Sequence, residues 1–158
     1  MKIKPKLWLM VGVPGSGKSY FALNTLISDS SWAYVSRDMI RFEKLKETDK
    51  YFDKENDVFK EFVEEINYCL TCGVYNNVIA DATHLNFNSR MKLINKLVKD
   101  IDIIPVVMCT STMTCMNRNA NRNGRSKVPE NAIQSMQKSF KHPKYDNFNY
   151  TAIMEVIE

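Results

Sequence analysis

Residues 7–19 read Leu-Trp-Leu-Met-Val-Gly-Val-Pro-Gly-Ser-Gly-Lys-Ser, and this stretch decides the fold. It opens with an apolar run typical of a buried strand and closes on the spacing G-x-x-x-x-G-K-S at residues 12–19. A helix-like pattern follows directly, over residues 19–27. A strand, a loop of this spacing and a helix predict a phosphate-binding loop, because glycines let backbone N–H groups surround phosphate oxygens.

Each residue type in this loop has a physical reason. Lys18 is expected to reach the β- and γ-phosphates, and the Ser19 hydroxyl is expected to ligate Mg²⁺. A chance glycine-rich turn is the alternative, but such a turn would not be expected to fall between a strand and a helix as well. We therefore predict binding of ATP or another nucleoside triphosphate with Mg²⁺, through Gly12, Pro14, Gly15, Ser16, Gly17, Lys18 and Ser19.

The rest of the chain alternates between strand-like and helix-like segments. Strands are predicted at residues 33–36, 77–80, 101–109 and 149–158, and helices at 37–45, 53–72, 88–99, after 112 and from 129. Pro105 in the fourth strand indicates a bulge or an edge. The alternation predicts a single α/β domain over residues 1–158, with a parallel sheet flanked by helices and ligands beyond the carboxyl ends of the strands.

Composition and charge exclude several classes of protein. The chain has 158 residues, 44% of them hydrophobic and 25% charged, with 5 Gly and 5 Pro, which is typical of a compact domain rather than a disordered tail. It contains no apolar run long enough to cross a bilayer, so we expect a cytoplasmic protein without a membrane partner. The net charge of +4 is unevenly distributed, since residues 113–144 hold seven basic residues and one acid. One region is therefore predicted to carry the positive field.

Residues 36–41, Ser-Arg-Asp-Met-Ile-Arg, follow the second predicted strand, on the edge of the sheet where a second substrate would face the γ-phosphate. Asp38 is suited to orient an attacking hydroxyl and to accept its proton, while a nearby arginine neutralises an acceptor phosphate. The structural alternative is a helix N-cap formed by Ser36 or Asp38, with Arg37 and Arg41 in solvent. The phosphate-binding loop favours the acceptor-binding interpretation.

Asp81 and Thr83 follow the third predicted strand. An acid at this place in P-loop enzymes holds a Mg²⁺-bound water or fixes an arginine, although both residues are also ordinary loop and cap residues. His84 beside them is expected to be a surface or hydrogen-bonded residue rather than a catalyst.

An arginine-rich lid is predicted at about residues 117–128, around a polar loop that separates two helices. Arg118, Arg122 and Arg125 lie in or beside this loop, and at least one of them is expected to stabilise charge on the triphosphate. A solvated basic face is the alternative.

These segments, in this order and near this spacing, resemble the 5′-polynucleotide kinases, in particular the kinase half of the phage polynucleotide kinase/phosphatases. The resemblance covers roughly residues 7–140 and is carried by residues 12–19, Arg37-Asp38 with Arg41, residues 81–86, Arg118 through Pro129, and residues 135–139. It implies an adenylate-kinase-like P-loop fold. It also implies ATP-dependent phosphoryl transfer to the 5′-hydroxyl end of DNA or RNA, in the repair of nucleic-acid ends.

The resemblance implies roles for individual residues as well. Lys18, Asp38 and Arg122 would be catalytic, with Asp38 as general base, and Arg118, Arg122 and Arg125 would join the nucleotide-binding loop. The acceptor would contact Asp38, Arg41 through the phosphate on its 3′ side, Asp81, Thr83, and Val128 through the terminal base. The lid is one residue longer than in the family pattern, so either Arg122 or Arg125 could correspond to the family's lid arginine. Asp81 aligns with the family's acidic residue only to within one position.

The phosphatase half of that family has no counterpart here, so a separate phosphatase or ligase chain is expected as a partner, in the host-cell cytoplasm if the gene is carried by a phage. A homo-oligomer is compatible with the sequence. The substrate would be a single-stranded or end-exposed 5′-hydroxyl, bound in a salt-sensitive manner. Two other functions stay open: a P-loop kinase for a nucleoside or another small molecule, and a nucleotide-binding regulatory module that transfers nothing.

Overall fold

The computed structural model describes residues 2–158, in which five strands form one parallel sheet. The strands are β1 (Lys6–Val11), β2 (Trp32–Ser36), β3 (Asn77–Asp81), β4 (Asp102–Cys109) and β5 (Met154–Ile157). The helices are α1 (Lys18–Phe21), which continues as a π-helical turn over Ala22–Leu26, α2 (Arg37–Lys44), α3 (Glu55–Thr71), α4 (Phe87–Ile94), α5 (Thr112–Ala120) and α6 (Glu130–Ser139). Short 3₁₀ turns lie at Gly124–Ser126 and Pro143–Tyr145. The predicted α/β architecture is confirmed.

The strand order, β2-β3-β1-β4-β5, places β1 at the centre. Leu7, Leu9, Met10 and Val11 are fully buried, because parallel sheets are covered on both faces. The chain builds β2 and β3 on one side of β1 and then crosses to the other side for β4 and β5. The carboxyl end of β1 is therefore where the strand order reverses, and crevices for ligands open at such points.

The helix predicted for residues 88–99 is shorter in the structure, where α4 ends at Ile94. The amide of Asn67, on α3, donates to the carbonyl of Lys96 (3.0 Å) and accepts from the N–H of Val98 (2.9 Å). These contacts with α3 use backbone groups that a longer α4 would have bonded within itself, so tertiary contacts end the helix early.

Pro105 lies within β4, paired in register with Leu9 of β1. The backbone of Ile103 exchanges hydrogen bonds with Thr151, and by the alternation of a strand the nitrogen of Pro105 faces the same side. β5 begins to pair with β4 only at Val106. The sheet edge predicted from Pro105 is therefore present only over part of β4, where the proline nitrogen faces a stretch without a strand partner.

The long helix α3 covers one face of the sheet. Val58, Phe62, Ile66 and Leu70 recur at four-residue spacing and are buried in the largest apolar cluster, against residues of β1, β2 and β3. No helix within residues 2–158 is long and apolar enough to cross a membrane.

A buried ion pair fastens the C-terminal segment to α4. The side chain of Arg90 is fully buried, and its guanidinium donates to both carboxylate oxygens of Asp146 at 2.7 and 2.8 Å. Two further N–H groups of the guanidinium donate to the carbonyls of His84 (2.7 Å) and Lys141 (2.8 Å). The Tyr150 hydroxyl donates to the same carboxylate at 2.7 Å. This network holds the segment that leads into β5.

Candidate active site

The glycine-rich loop leaves β1 and enters α1, and α5 packs tightly against it. Gly15 has φ 85°, and a Cβ at this position would lie 2.4 Å from the carbonyl oxygen of Cys115, so glycine is required here. Lys18 is buried, and its Nζ donates to the carbonyl of Val13 at 3.0 Å. Burial lowers the pKa of Lys18, and the Asp81 carboxylate opposes this shift. Phosphate oxygens would stabilise the poorly solvated ammonium.

Asp81, the last residue of β3, lies beside the hydroxyl of the loop. Ser19 Oγ donates to Asp81 Oδ2 at 2.6 Å, and the Tyr34 hydroxyl donates to the same oxygen at 2.5 Å. Burial, together with the charge of Asp81, raises the pKa of Tyr34 to about 12, so the hydroxyl remains a donor. Asp81 is predicted to contact the acceptor, and its carboxylate is also bonded to the predicted metal ligand.

Ser19 and Asp81 fit a Mg²⁺ ion. Mg²⁺ prefers oxygen ligands, and in triphosphate sites it takes one or two of them from the protein and the others from phosphates and water. The serine hydroxyl and the carboxylate, 2.6 Å apart, provide such a pair next to the phosphate loop. Bound there with a triphosphate, Mg²⁺ would neutralise charge on the β- and γ-oxygens.

A cavity of about 420 Å³, called the donor cavity below, opens over the loop on the side of α5. Arg118 forms part of its wall: Nη1 donates to the carbonyl of Gly15 (3.3 Å), and Nη2 bonds the carboxylate of Glu158 (3.0 and 3.2 Å). The lining residues are Gly15, Gly17, Lys18, Ser19, Tyr20, Arg118, Arg122 and Glu158. Three of the eight are basic, which suits a triphosphate.

A second cavity, of about 160 Å³ and called the acceptor cavity below, opens on the side of α2. Lys18, Ser19 and Arg122 border both cavities. The other residues around the acceptor cavity are Pro14, Ser36, Arg37, Asp38, Arg41, Tyr51, Phe52, Glu55, Asp81, Ala82, Thr83 and Met136. The two cavities thus meet at the lysine that is expected to reach the γ-phosphate and at the hydroxyl that is expected to ligate Mg²⁺.

Asp38 lies in the first turn of α2 and borders the acceptor cavity. Ser36 caps this helix by accepting from the N–H of Met39 (3.2 Å), so the cap expected as an alternative is present but does not use Asp38. The Asp38 side chain is 53% exposed, and its Oδ1 accepts from the hydroxyl of Tyr51 (2.6 Å) and from Arg41. Its Oδ2 has no hydrogen-bond partner among residues 2–158. One carboxylate oxygen is fixed and the other is free.

Arg41 is buried, with 4% of its surface exposed, and its guanidinium is mostly occupied. Nε and Nη2 donate to Glu55 Oε1 at 2.9 and 2.6 Å, and Nη1 donates to Asp38 and to the Tyr51 hydroxyl. Four of the five N–H donors of the guanidinium are thus bonded within the protein, and one N–H of Nη2 remains for the acceptor phosphate that Arg41 is predicted to bind. Its contacts also orient Asp38. Sequence reasoning missed Glu55 and Tyr51, since neither belongs to a motif.

Arg37 is the second arginine of the acceptor cavity. Its Nη2 donates to Glu55 Oε2 (2.9 Å), while its buried Nε–H has no partner. Burial lowers the pKa of Arg37, and the charge of Glu55 counteracts this effect. The donors of Nη1 have no hydrogen-bond partner within residues 2–158, and 26% of the Arg37 side chain is exposed against 5% for Arg41, so Arg37 is better placed than Arg41 to receive an anionic acceptor.

The lid arginines have different surroundings. Arg122 borders both cavities, and its one hydrogen bond within residues 2–158 is a long contact of 3.4 Å to the carbonyl of Ser126. Arg125 was expected to bind the nucleotide, but it borders neither cavity. Its guanidinium donates to the carbonyls of Leu45 (3.1 Å) and Lys46, which lie directly after α2. Geometry therefore favours Arg122 for the phosphates and gives Arg125 the role of fastening the lid.

Val128 was expected to contact the terminal base, but it is a core residue with 3% of its surface exposed. It packs in a cluster with Val13, Cys115 and Ile133. The Asn119 side chain accepts from the Val128 N–H (3.0 Å) and donates to the Val128 carbonyl (2.7 Å). This double contact turns the end of the lid into the core, away from the acceptor cavity.

Comparison with known proteins assigns the family. The AAA_33 profile, which describes an AAA domain, matches residues 7–143, from β1 to beyond α6. The chain belongs to the AAA_33 family. No curated protein matches the chain.

Solved structures with the same fold include kinases of several kinds. A chain of the Pnkp1/Rnl/Hen1 RNA repair complex is 24% identical, with a TM-score of 0.76 over 95% of this chain and 48% of its own length. A fungal RNA kinase is 12% identical (TM-score 0.67, 99% and 77% covered), and a sugar kinase from Janibacter sp. HTCC2649 is 14% identical (TM-score 0.63, 96% and 85% covered). These similarities establish the P-loop kinase fold. The chain spans about half of the repair-complex chain.

Thr83 and His84, which lie between β3 and α4, form hydrogen bonds to the end of the central strand of this AAA_33 domain. The carbonyl of Thr83, which borders the acceptor cavity, accepts the N–H of Gly12 (3.0 Å). His84 is buried with φ 44°, and its Nδ1 donates to the carbonyl of Met10 (2.7 Å), which leaves Nε2 unprotonated. Burial lowers the pKa of His84 to about 3, so the ring is neutral. The histidine supports the phosphate loop from behind.

Proposed function

We propose that this chain is a phosphotransferase that moves the γ-phosphoryl group of ATP or another nucleoside triphosphate to the 5′-hydroxyl end of DNA or RNA. The observation that carries the proposal is the pair of cavities that meet at Lys18, Ser19 and Arg122, with a half-exposed carboxylate, Asp38, in the second. Such an arrangement allows an acceptor hydroxyl to approach the γ-phosphate from the side opposite the leaving group.

On the donor side, the loop and Lys18 would hold the phosphates. Arg118 and Arg122 would contact the triphosphate from the lid, and Ser19 with Asp81 would hold Mg²⁺. Because the transition state of phosphoryl transfer is loose, these groups act mainly by positioning and by stabilising negative charge.

On the acceptor side, Asp38 would orient the hydroxyl through Oδ2 and accept its proton late in the reaction. Arg41 and Tyr51 hold Oδ1 and so set the direction of the free oxygen. Glu55 offsets the charge of Arg41, which would otherwise be buried without full compensation. Asp38 is thus the catalytic carboxylate, and Arg41, Tyr51 and Glu55 are positioning residues.

A nucleic-acid acceptor is favoured by three features. Arg37, whose Nη1 has no hydrogen-bond partner within residues 2–158, would bind the phosphate on the 3′ side of the terminal nucleotide, and Thr83 borders the same cavity. Residues 113–144 carry a local charge of +6, which would attract a phosphate backbone in a salt-sensitive manner. The folds of an RNA kinase and of an RNA repair complex are similar to this one. End repair with a separate phosphatase or ligase chain is the biological setting that we propose.

A small-molecule kinase is the second candidate, because the acceptor cavity measures only about 160 Å³ and a sugar kinase shares the fold. Transfer of labelled γ-phosphate should be measured with 5′-hydroxyl oligonucleotides, nucleosides and sugars as acceptors. Transfer to oligonucleotides supports the proposal. Transfer to small molecules alone supports the second candidate, and ATP binding without any transfer indicates a regulatory module.

The role of Asp38 is tested in the same assay. Asp38→Asn should lower kcat by about 10²- to 10⁴-fold, the usual contribution of a general base, with the affinity for ATP unchanged. Glu47→Gln is the matched control, since this exposed acid lies shortly after α2 but outside the cavity. A kcat of Asp38→Asn equal to that of Glu47→Gln would remove Asp38 from the mechanism.

A further inference from the structure

Phe52 is a phenylalanine that the fold leaves half exposed at the acceptor cavity. It lies in the turn between α2 and α3, 48% of its surface is exposed, and it borders the cavity beside Tyr51 and Asp38. Exposed aromatic rings are costly in water, so one that borders a substrate cavity is a candidate for ligand contact.

The ring of Phe52 is held at a defined place relative to Asp38. It packs edge-on against Tyr51, with centroids 4.6 Å apart and an interplanar angle of 81°. The Tyr51 hydroxyl donates to Asp38 at 2.6 Å, and the guanidinium of Arg41 lies 4.3 Å from the centroid of the Tyr51 ring. The same guanidinium lies farther from the Phe52 ring, 5.9 Å from its centroid, and Phe52 keeps 48% of its surface exposed.

We propose that Phe52 is the stacking platform for the nucleobase of the 5′-terminal nucleotide. This inference rests on the proposed function and deepens it. In a nucleotide the base and the 5′-hydroxyl belong to the same sugar, so a hydroxyl placed at Asp38 brings the base to the wall of this cavity. Val128, the apolar residue that the family resemblance suggested for this contact, is in the core. Phe52 is the exposed ring of the cavity wall.

Recognition through a ring face has a consequence for specificity. Stacking uses the flat surface that every nucleobase has, and it does not read the hydrogen-bonding edge. The carboxylate of Glu55 is occupied by Arg37 and Arg41 and is not free to read that edge. The enzyme should therefore accept all four bases at the 5′ end with similar efficiency, while an acceptor without a flat ring should lose this contribution.

The test combines two oligonucleotides with variants of residue 52. The oligonucleotides differ only in whether the 5′-terminal sugar carries a base or is abasic. With the wild-type chain, removal of the base should raise KM about 5- to 30-fold, toward the lower end of base–aromatic stacking, with kcat within about twofold. Phe52→Ala and Phe52→Leu should show that raised KM with both oligonucleotides, because no ring remains to stack.

Three further measurements distinguish stacking from a structural role. Phe52→Tyr should restore the difference between the two oligonucleotides, and KM for ATP should be unchanged in every variant. Phe52→Leu keeps apolar packing against Tyr51, so an effect shared with Phe52→Ala belongs to the ring. Tyr68→Ala, an exposed aromatic of α3 outside the cavity, should behave as the wild-type chain does.

Failure of the stacking role of Phe52 can be distinguished from failure of the proposed function. If 5′-hydroxyl oligonucleotides are phosphorylated but the base still lowers KM to the same extent in Phe52→Ala, the stacking role of Phe52 is wrong and the proposed function stands. If the wild-type chain phosphorylates no oligonucleotide, the proposed function is wrong and the inference fails with it.

Discussion

Removal of the Asp146 carboxylate should destabilise the fold more than most single substitutions. Arg90 is fully buried and Asp146 is 2% exposed in side-chain surface, so Asp146→Ala leaves a guanidinium in the interior with only two neutral carbonyls as partners. The Tyr150 hydroxyl loses its acceptor in the same substitution.

The size of the effect follows from the cost of a buried unpaired charge. Breaking such a pair from one side destabilises by about 3–5 kcal/mol, a large part of the roughly 5–15 kcal/mol that stabilises a typical domain. At about 2–4 °C per kcal/mol for a chain of this size, Tm should fall by roughly 6–20 °C.

Urea unfolding of the wild-type chain and the variant provides the measurement. Arg90→Met combined with Asp146→Leu should recover much of the lost stability, because the charge leaves together with its partner. Lys4→Met is the control: it removes a half-exposed ammonium that pairs with Asp102 (3.3 Å) and with the exposed Asp100 (3.5 Å), and it should move the midpoint very little. A free energy of unfolding for Asp146→Ala within about 1 kcal/mol of wild type would refute the reasoning.

Three further predictions concern the site and its supports. His84→Asn suits the left-handed backbone at φ 44° and removes a group that is neutral in the fold down to about pH 3 but protonates below about pH 6.5 when unfolded. In the wild-type chain, only the unfolded state therefore binds this proton between about pH 6.5 and about pH 3. The free energy of unfolding of the wild-type chain should fall over this range by up to ~1.4 kcal/mol per pH unit more steeply than that of His84→Asn. Parallel plots of the free energy of unfolding against pH would contradict this. Ser19→Ala should reduce the Mg²⁺ dependence of ATP affinity by about tenfold or more, measured as the ratio of Kd values with and without Mg²⁺, and an unchanged ratio would exclude Ser19 as a ligand. Arg125→Ala should accelerate amide hydrogen exchange at residues 121–127 relative to Lys138→Ala, because the lid loses its bonds to residues 45 and 46; equal exchange in both would disprove the fastening role.

Local pattern was sufficient to predict much of the fold. The run at residues 7–19 predicted strand, loop and helix correctly, because the apolar period and the glycine spacing are properties of neighbouring residues. The order of the remaining strands and helices followed for the same reason. The early end of α4 could not be predicted, since it depends on Asn67, a residue of another helix.

The residues of the candidate site also divide into those that a local motif predicts and those that it does not. Lys18, Ser19 and Asp38 were found from motifs and border the cavities as expected, whereas Glu55, Tyr51 and Tyr34 carry no motif and enter the site through distant parts of the chain. Arg37 and Arg41 lie in the same short segment and cannot be told apart from the sequence alone, and the same holds for Arg122 and Arg125. How far each arginine is occupied depends on acceptors from elsewhere in the chain. Glu55 accepts one bond from Arg37 and two from Arg41, and the carbonyls of residues 45 and 46 accept from Arg125.

The phosphate loop, the α/β alternation and the edge of the sheet where ligands are expected could thus be predicted from the sequence, because they depend on residues close together in the chain. The exposure of each arginine, the burial of Val128 and the exposure of Phe52 became apparent only in the packed molecule. Burial and hydrogen-bond saturation are properties of the packed molecule, since a side chain's partners are set by whichever elements the fold brings beside it.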